Sequence, residues 1–319
     1  MSEDIDFRIV RMFHPTQYTP SLDTSEQFFE RFFGRPSSAA ETVLKKIVPP
    51  DSGYPTDYCA FTTIRDIFFD SLVPEKFTPG GVQVYPSVKF PTLKTVGWYT
   101  EGLGDLFAKL TANGFAITNT MGERMEEFQT KFPVPGGKPM FFTSPEETGL
   151  KYQFFEEGPF FFDPRSEPGW VLPPIEENCP FGLEFCSHHA VLTTTPDRAL
   201  RLMVDMLGGT IIDQGRNEAL QAVSTYVALA DGIFEFAIPD QGTPAAAALA
   251  AQAPQDIYHS LTWKVSDLDR VERHLAAIGA GIQTRTNDML IVDPAGGNGI
   301  PWGFTTSLRS GDPRGGNQS

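Results

Sequence analysis

The chain predicts an α+β fold of four βαβββ units, paired two by two into two cupped mixed-sheet barrels. Three observations predict it. Apolar residues recur with period two over short runs and with helical spacing over the segments between them. Asp, Ser or Thr opens the helical segments, and Gly closes them. The succession strand, helix, Gly and further strands is met four times, and an internal repeat constrains a fold more than any single motif. One unit alone leaves a face of its small sheet bare. Pairing two units curls the sheets around a shared interior, where a ligand would sit.

The first unit opens with a strand over Phe7–Phe13. Asp23-Thr24-Ser25 then caps a helix over Glu26–Phe33, which Gly34 stops. Tyr58–Thr62 and Ile67–Leu72 are β-rich runs closed by Pro74. The second unit has a strand at Leu93–Tyr99, a helix at Leu103–Leu110 stopped by Asn113-Gly114, and strands at Pro139–Thr143 and Leu150–Phe155. Glu157 to Pro180 is rich in Pro, acids and Phe and reads as the interdomain connection. Its Phe160-Phe161-Phe162 is too apolar for a free linker and is expected to pack on a domain.

The third unit starts at Phe185. Its helix is expected over Arg198–Leu207, with strands at Ile211-Ile212, Ser224–Ala230 and Ile233–Ile238. Gly242–Gln255 is Ala- and Pro-rich, either a short helix or a connector. The fourth unit has a strand around His259, a helix over Asp267–Ile278 stopped by Gly279, and strands at Gly281–Thr284, Asp288–Val292 and Ile300–Thr305. The polar, Gly-rich tail after Leu308 reads as disordered. The expected domains are therefore 1–157, a connection at 158–183, a second domain at 184–306, and a flexible tail at 307–319.

Composition limits the function. The chain has 319 residues, 40% hydrophobic and 20% charged, with net charge −15. That is globular, and its scattered basic residues argue against nucleic acid as a partner. No apolar stretch approaches the ~20 residues of a membrane helix, and the N-terminus carries no signal-peptide pattern. Cys59, Cys179 and Cys186 are few, odd in number and without ligand-pair spacing, which suits free thiols in a reducing cytoplasm. The expected partner is a small molecule, and association into a homodimer is left open.

The chemistry-bearing stretch is Ser187-His188-His189-Ala190-Val191-Leu192, and Tyr258-His259-Ser260-Leu261-Thr262-Trp263 repeats it. His189 and His259 each stand eight residues before an Asp, Asp197 and Asp267, that precedes a helical segment. Counted this way they are equivalent places in two copies of one unit, and they are read as two ligands of one metal site. His188 points to the other face and takes that role only if the register slips by one. Each histidine has an ordinary alternative as a hydrogen-bonded core residue. Glu235 stands inside the apolar run Ile233-Phe234-Glu235-Phe236-Ala237-Ile238. On a buried strand a lone carboxylate is costly unless it is paired or metal-bound, whereas on a half-exposed strand it is simply a solvated side chain. His274 lies on the last helix, where a solvated face is the default.

The order of His on a strand, Asp at a helix start, Gly after the helix and the last strand Gly232-Ile233-Phe234-Glu235-Phe236 resembles the vicinal oxygen chelate superfamily of glyoxalases, bleomycin-resistance proteins and extradiol dioxygenases. The turn Asp293-Pro294-Ala295-Gly296-Gly297-Asn298 resembles that family's Asp-Pro-x-Gly-Asn turn. The resemblance covers residues 185–306 well and 6–157 more weakly. It implies a glyoxalase-like fold and, position by position, the metal ligands His189, Glu235 and His259. The family's further ligand place, on the final strand, falls near Pro301-Trp302-Gly303, where no carboxylate stands. In the N-terminal half, Asp70 matches the Glu235 place and Gln153 the corresponding place of the second unit. His14 lies one place off register, an incomplete set that suits a scaffold or substrate wall.

The resemblance implies a divalent ion, Fe(II), Mn(II) or Zn(II), chelated by a small apolar or aromatic substrate through two neighbouring oxygens. Enolate stabilisation by a lyase or isomerase is the preferred expectation. A ring-cleaving Fe(II) dioxygenase is the second, set back because the last unit offers only His274 and no Tyr after His259. A metal-free binding protein of the bleomycin-resistance type is the third. The catalytic general base is not identified.

Overall fold

The structure is a computed structural model that describes residues 6–130, 137–158, 163–176 and 179–315. Phe160-Phe161-Phe162 lie outside the described residues. The chain divides into two compact units. One comprises residues 1–30 and 35–172, the other residues 31–34 and 173–319.

The first unit is built on one eight-stranded sheet. Its elements are β1 (Arg8–Tyr18), α1 (Leu22–Phe33, whose residues 31–33 belong to the second unit), β2 (Ser37–Ala39), α2 (Glu41–Ile47), β3 (Cys59–Ile64), β4 (Ile67–Leu72), β5 (Thr92–Glu101), α3 (Leu103–Ala112), β6 (Ile117–Thr118), β7 (Met140–Thr143), α4 (Pro145–Thr148) and β8 (Lys151–Glu156). The strand order is β2-β3-β4-β1-β5-β8-β7-β6. The second unit carries β9 (Leu183–Leu192), α5 (Asp197–Leu200), β10 (Thr210–Asn217), β11 (Ala222–Leu229), β12 (Gly232–Pro239), α6 (Pro244–Gln252), β13 (Ile257–Val265), α7 (Leu268–Ile278), β14 (Ile282–Arg285), β15 (Met289–Val292) and β16 (Gly303–Thr305). Its order, β10-β11-β12-β9-β13-β16-β15-β14, repeats the first sheet strand for strand. In each sheet the first strands of the two βαβββ passes, β1 with β5 and β9 with β13, pair antiparallel at the centre. This is the glyoxalase-like α+β architecture expected.

The elements follow local chemistry. The Asp267 carboxylate accepts from the Asp269 N–H at 2.8 Å and opens α7. Leu268, Val271 and Leu275 bury one stripe of that helix. Gly279 closes it at φ +71°, a conformation that costs glycine no Cβ clash. On the helix-facing side of the second sheet, Trp263 and Trp302 are fully buried and pack edge-on against Phe33. The Ala-rich segment forms a helix, α6, because Thr243 caps it and Pro244 occupies its first turn. The short strands β2 and β6 and the short helices α2 and α4 went unread in the sequence.

Residues 309–315 are not a loose tail. Arg314 donates to the carbonyls of Cys186 at 2.7 Å and Ser187 at 2.6 Å, and its guanidinium pairs with the buried Asp312 at 2.9 Å. The reason is a β-bulge. His188 pairs with Thr262 and Cys186 with Trp263, so Ser187 has no partner on β13 and the ladder is interrupted there. The first unit repeats the device. Its bulge omits Phe13, between Met12 and His14, and Arg165 donates to the carbonyls of Met12 and Phe13 while pairing with Asp163 at 2.7 Å. The two straps share the sequence Asp-Pro-Arg, at 163–165 and 312–314. Polar composition hid this, because three residues that bury their charge internally look like solvated loop. Among the described residues no helix is long and apolar enough to cross a membrane.

Candidate functional site

The parallel pairing of β9 with β12 decides which histidine meets the carboxylate. Glu235 pairs with Ala190 and Phe234 with His189. Paired residues share a face, and so do residues two apart on one strand. Glu235 therefore shares its face with Ala190 and His188, while His189 shares the opposite face with Phe234. The side chains agree. His188 Nε2 stands 3.2 Å from Glu235 Oε2, both side chains being 1% exposed. The His189 ring stacks on Phe234, and its Nδ1 lies 2.5 Å from the Tyr258 hydroxyl.

The expected set His189, Glu235, His259 is thus corrected at its first member. Both ring nitrogens of His189 have protein partners, Tyr258 Oη and, at 3.6 Å, Cys186 Sγ. Burial, the neighbouring His188 and Arg314 push its imidazole down to about 3. The spacing rule failed for a definable reason. Asp267 is the N-cap of α7, but Asp197 is already the first residue of α5, capped by Pro196. Eight residues before the cap falls on His259 in one unit and on His188 in the other.

Glu235 is fully buried and held on three sides. Its Oε1 accepts from Ser224 Oγ at 2.6 Å, Tyr226 Oη at 2.7 Å and Asn217 Nδ2 at 2.8 Å. Burial opposes its ionisation, but His188, Ser224 and Asn217 outweigh burial and hold the carboxyl at about 2. Its Oε2 and His188 Nε2 face each other at 3.2 Å and have no other protein partner. That spacing also suits neighbouring ligands of one ion, which bond lengths of ~2.1 Å place roughly 3.0–3.4 Å apart.

His259 is half-buried and sits at a second bulge, between Tyr258, paired with Val191, and Ser260, paired with Ala190. Burial lowers its imidazole to about 4, and the nearby Glu235 carboxylate pulls it back up. Among the described residues no three His, Cys, Asp or Glu side chains cluster closely enough to enclose an ion. The residues therefore fit a metal at two positions, His188 and Glu235, with His259 the nearest candidate for a third. The final-strand ligand place is Gly303, which pairs with Thr262. A Cβ there would meet Thr262 Oγ1 at 2.4 Å, so the Thr262 side chain occupies the space that a residue larger than Gly would need.

The first unit carries the matching positions. Thr16 pairs with Asp70 as Ala190 does with Glu235, which makes Asp70 the counterpart of Glu235 and His14, two residues earlier, the counterpart of His188. His14 is therefore in register, not one place off. Gln153, paired with Gly97, takes the place of Gly303. Here the cup is open, with a cavity of ≈ 210 Å³ whose wall includes His14, Thr16, Asp70 and Gln153. In the second unit Arg309 from the C-terminal segment lies 4.7 Å over the Tyr226 ring, on the face that carries Glu235. Reading the sequence missed the first cup. Its one signal was the excess of Phe and Tyr before residue 100, which any core would also explain.

No protein-family model matches the chain, and no curated protein matches its sequence. Its fold is shared with solved structures. A mutant 4-hydroxymandelate synthase from Streptomyces coelicolor matches with TM-score 0.60 and 11% identity, over 95% of this chain and 94% of that one. The 2,3-dioxygenase LapB from Pseudomonas sp. KL28 matches with TM-score 0.57 and 10% identity, over 96% and 95%. Homoprotocatechuate 2,3-dioxygenase from Brevibacterium fuscum, also a mutant, matches with TM-score 0.54 and 12% identity, over 96% and 74%. The chain thus shares a four-unit, two-domain glyoxalase-like fold with these solved structures.

Proposed function

We propose that the chain is a metal-dependent enzyme acting on a small molecule, with a divalent ion (Fe(II), Mn(II) or Zn(II)) held in the second unit by His188 and Glu235 and approached by His259. One observation carries this reading: His188 Nε2 and Glu235 Oε2 are buried, face each other at 3.2 Å and meet no other protein group. Buried polar atoms with so few partners call for an explanation. A bound ion would supply Lewis acidity toward a substrate with two neighbouring oxygens, the basis of lyase or isomerase chemistry. The chain's own groups prepare the site. Ser187 Oγ lies 3.1 Å from His188 Nδ1, and a metal-binding His188 would donate its Nδ1–H there and turn the Nε2 lone pair to the ion. Ser224, Tyr226 and Asn217 keep Glu235 ionised and fixed in orientation.

Two other readings rank behind it. The solved structures similar in fold include 2,3-dioxygenases, which favours a ring-cleaving Fe(II) dioxygenase. Against it, His274 bonds the Phe32 carbonyl at 3.0 Å and has no place beside Glu235. A metal-free binding protein is favoured by Gly303 at the further ligand place and by the lack of a three-residue cluster among the described residues.

Elemental analysis of protein expressed with iron, manganese or zinc separates them. Stoichiometric metal, lost in His188→Ala and Glu235→Gln but kept in His189→Ala, supports the proposal. No metal in any preparation overturns it in favour of the binding protein. Oxygen uptake by iron-loaded protein would move the assignment to the dioxygenase.

A further inference from the structure

The N-terminal cup holds a buried acid that the fold does not pair with a cation. Asp70 is 6% exposed and lines the cavity. Its Oδ2 accepts one hydrogen bond, from Thr16 Oγ1 at 3.1 Å. Its Oδ1 is buried with no partner. Thr16 is in turn bonded to His14 Nδ1 at 2.9 Å, and burial with the nearby Arg165 pushes His14 down to about 3, so the imidazole stays neutral and brings no countercharge. Burial alone drives the Asp70 carboxyl up to about 7, against the pull of Thr16. Lys138, also on the wall, is drawn by Glu156 and Glu157.

Much of the rest of the wall is aromatic, with Leu44, Ile47, Leu72 and Met140 among it, and Lys151 Nζ lies 5.2 Å over the Tyr85 ring. Tyr18 and Tyr85 rings stand 5.1 Å apart, Tyr85 stacks on Phe77 at 5.2 Å, and the Tyr54 and Tyr58 hydroxyls meet at 3.4 Å. Electron-rich ring faces attract cations, more strongly where water is excluded. A buried acid that lacks a counterion and opens into such a box is best completed by an ammonium group. A neutral aromatic would fill the box and leave Oδ1 as it is. The bulges and strand register described above place Asp70 where Glu235 stands in the other unit, yet Ser224, Tyr226 and Asn217 have no counterpart bonded to Asp70.

We propose that the N-terminal cup is a binding site for a small organic amine, its ammonium on Asp70 and its apolar body among Tyr18, Tyr54, Tyr58 and Tyr85. The site does not rest on the metal reading, since it uses none of the residues of the second unit. Binding to the full-length chain is measured by calorimetry with three probes that share an ethylbenzene body, 4-ethylbenzylamine, 4-ethylphenol and ethylbenzene. Saturable one-to-one binding of the amine is expected, at least about tenfold tighter than either neutral probe. Asp70→Asn, which keeps the shape and removes the charge, should erase that preference while the neutral probes change less than threefold. Ile47→Trp fills the cavity from the far wall and should abolish binding of all three. His188→Ala should leave every value unchanged, which separates failure here from failure of the metal site. The proposal is overturned if the amine does not bind, if 4-ethylphenol binds as tightly, or if Asp70→Asn leaves the preference intact.

Discussion

Replacing Arg165 by Met should be among the most damaging single changes in the first unit. Its side chain is 3% exposed and that of Asp163 is 0% exposed. The guanidinium meets the carboxylate through two nitrogens, Nε at 2.9 Å and one terminal nitrogen at 2.7 Å. It also donates to the carbonyls of Asp66 at 2.7 Å, Met12 at 3.0 Å and Phe13. Met fills much of the volume but answers none of these acceptors. A buried carboxylate stripped of its cation costs about 3–5 kcal/mol. The carbonyls released at the bulge push the loss toward the upper end, about 1–3 kcal/mol for each that water does not reach. Arg165→Lys should recover only part of this, because a point charge cannot span the fork. Arg314→Met, the same change in the second unit, should cost less, since that side chain is 25% exposed and water can replace part of what is lost. Urea unfolding of Arg165→Met, Asp163→Asn and the double variant gives the coupling between the two. A coupling above about 2 kcal/mol is expected. A single-variant loss under 1 kcal/mol, or additive losses, would refute the strap as a structural element.

Other outcomes follow from the same geometry. Trp263→Ala should cost about 3–5 kcal/mol, because the fully buried ring has no solvent to collapse into, and urea unfolding would register it. Gly303→Ala should lose about 1–3 kcal/mol through contact with Thr262, and Gly303→Ala with Thr262→Ser should not fully restore it, because the same Oγ1 remains 2.4 Å from the added carbon. Acid should destabilise the metal-free protein below about pH 6. His14 and His189 are pushed to about 3 and His259 to about 4, so the unfolded chain binds their protons first and stability falls as pH falls through 6 toward 4. Asp70, raised to about 7, has the opposite sign: its contribution is present below its unfolded value and lost as pH rises through 7, so it offsets one histidine in that window. Unfolding free energies measured between pH 4 and 6 are expected to rise with pH. A flat profile there would contradict it.

Much of the fold was legible along the chain. The succession of short alternating runs, the caps at Asp267 and Thr243 and the stop at Gly279 are local signals, and so the βαβββ repeat and its pairing could be read from them. Glu235 was legible as well, because a charge inside an apolar run is anomalous whatever surrounds it. Its partner was not. His188 and His189 are adjacent, and which of them faces Glu235 depends on register and on bulges at Ser187 and His259, each of which breaks the alternation that a sequence count assumes.

What the sequence alone determined, then, is most of the elements, their duplication and the presence of a misplaced acid, since each depends on residues within one helix turn or one strand. Tertiary structure decided the rest. It chose His188 over His189, packed Thr262 against Gly303, docked the Asp-Pro-Arg straps, and left the first cup open around Asp70. Those outcomes depend on contacts between strands tens to more than a hundred residues apart, where a shift of one residue turns every side chain to the other face.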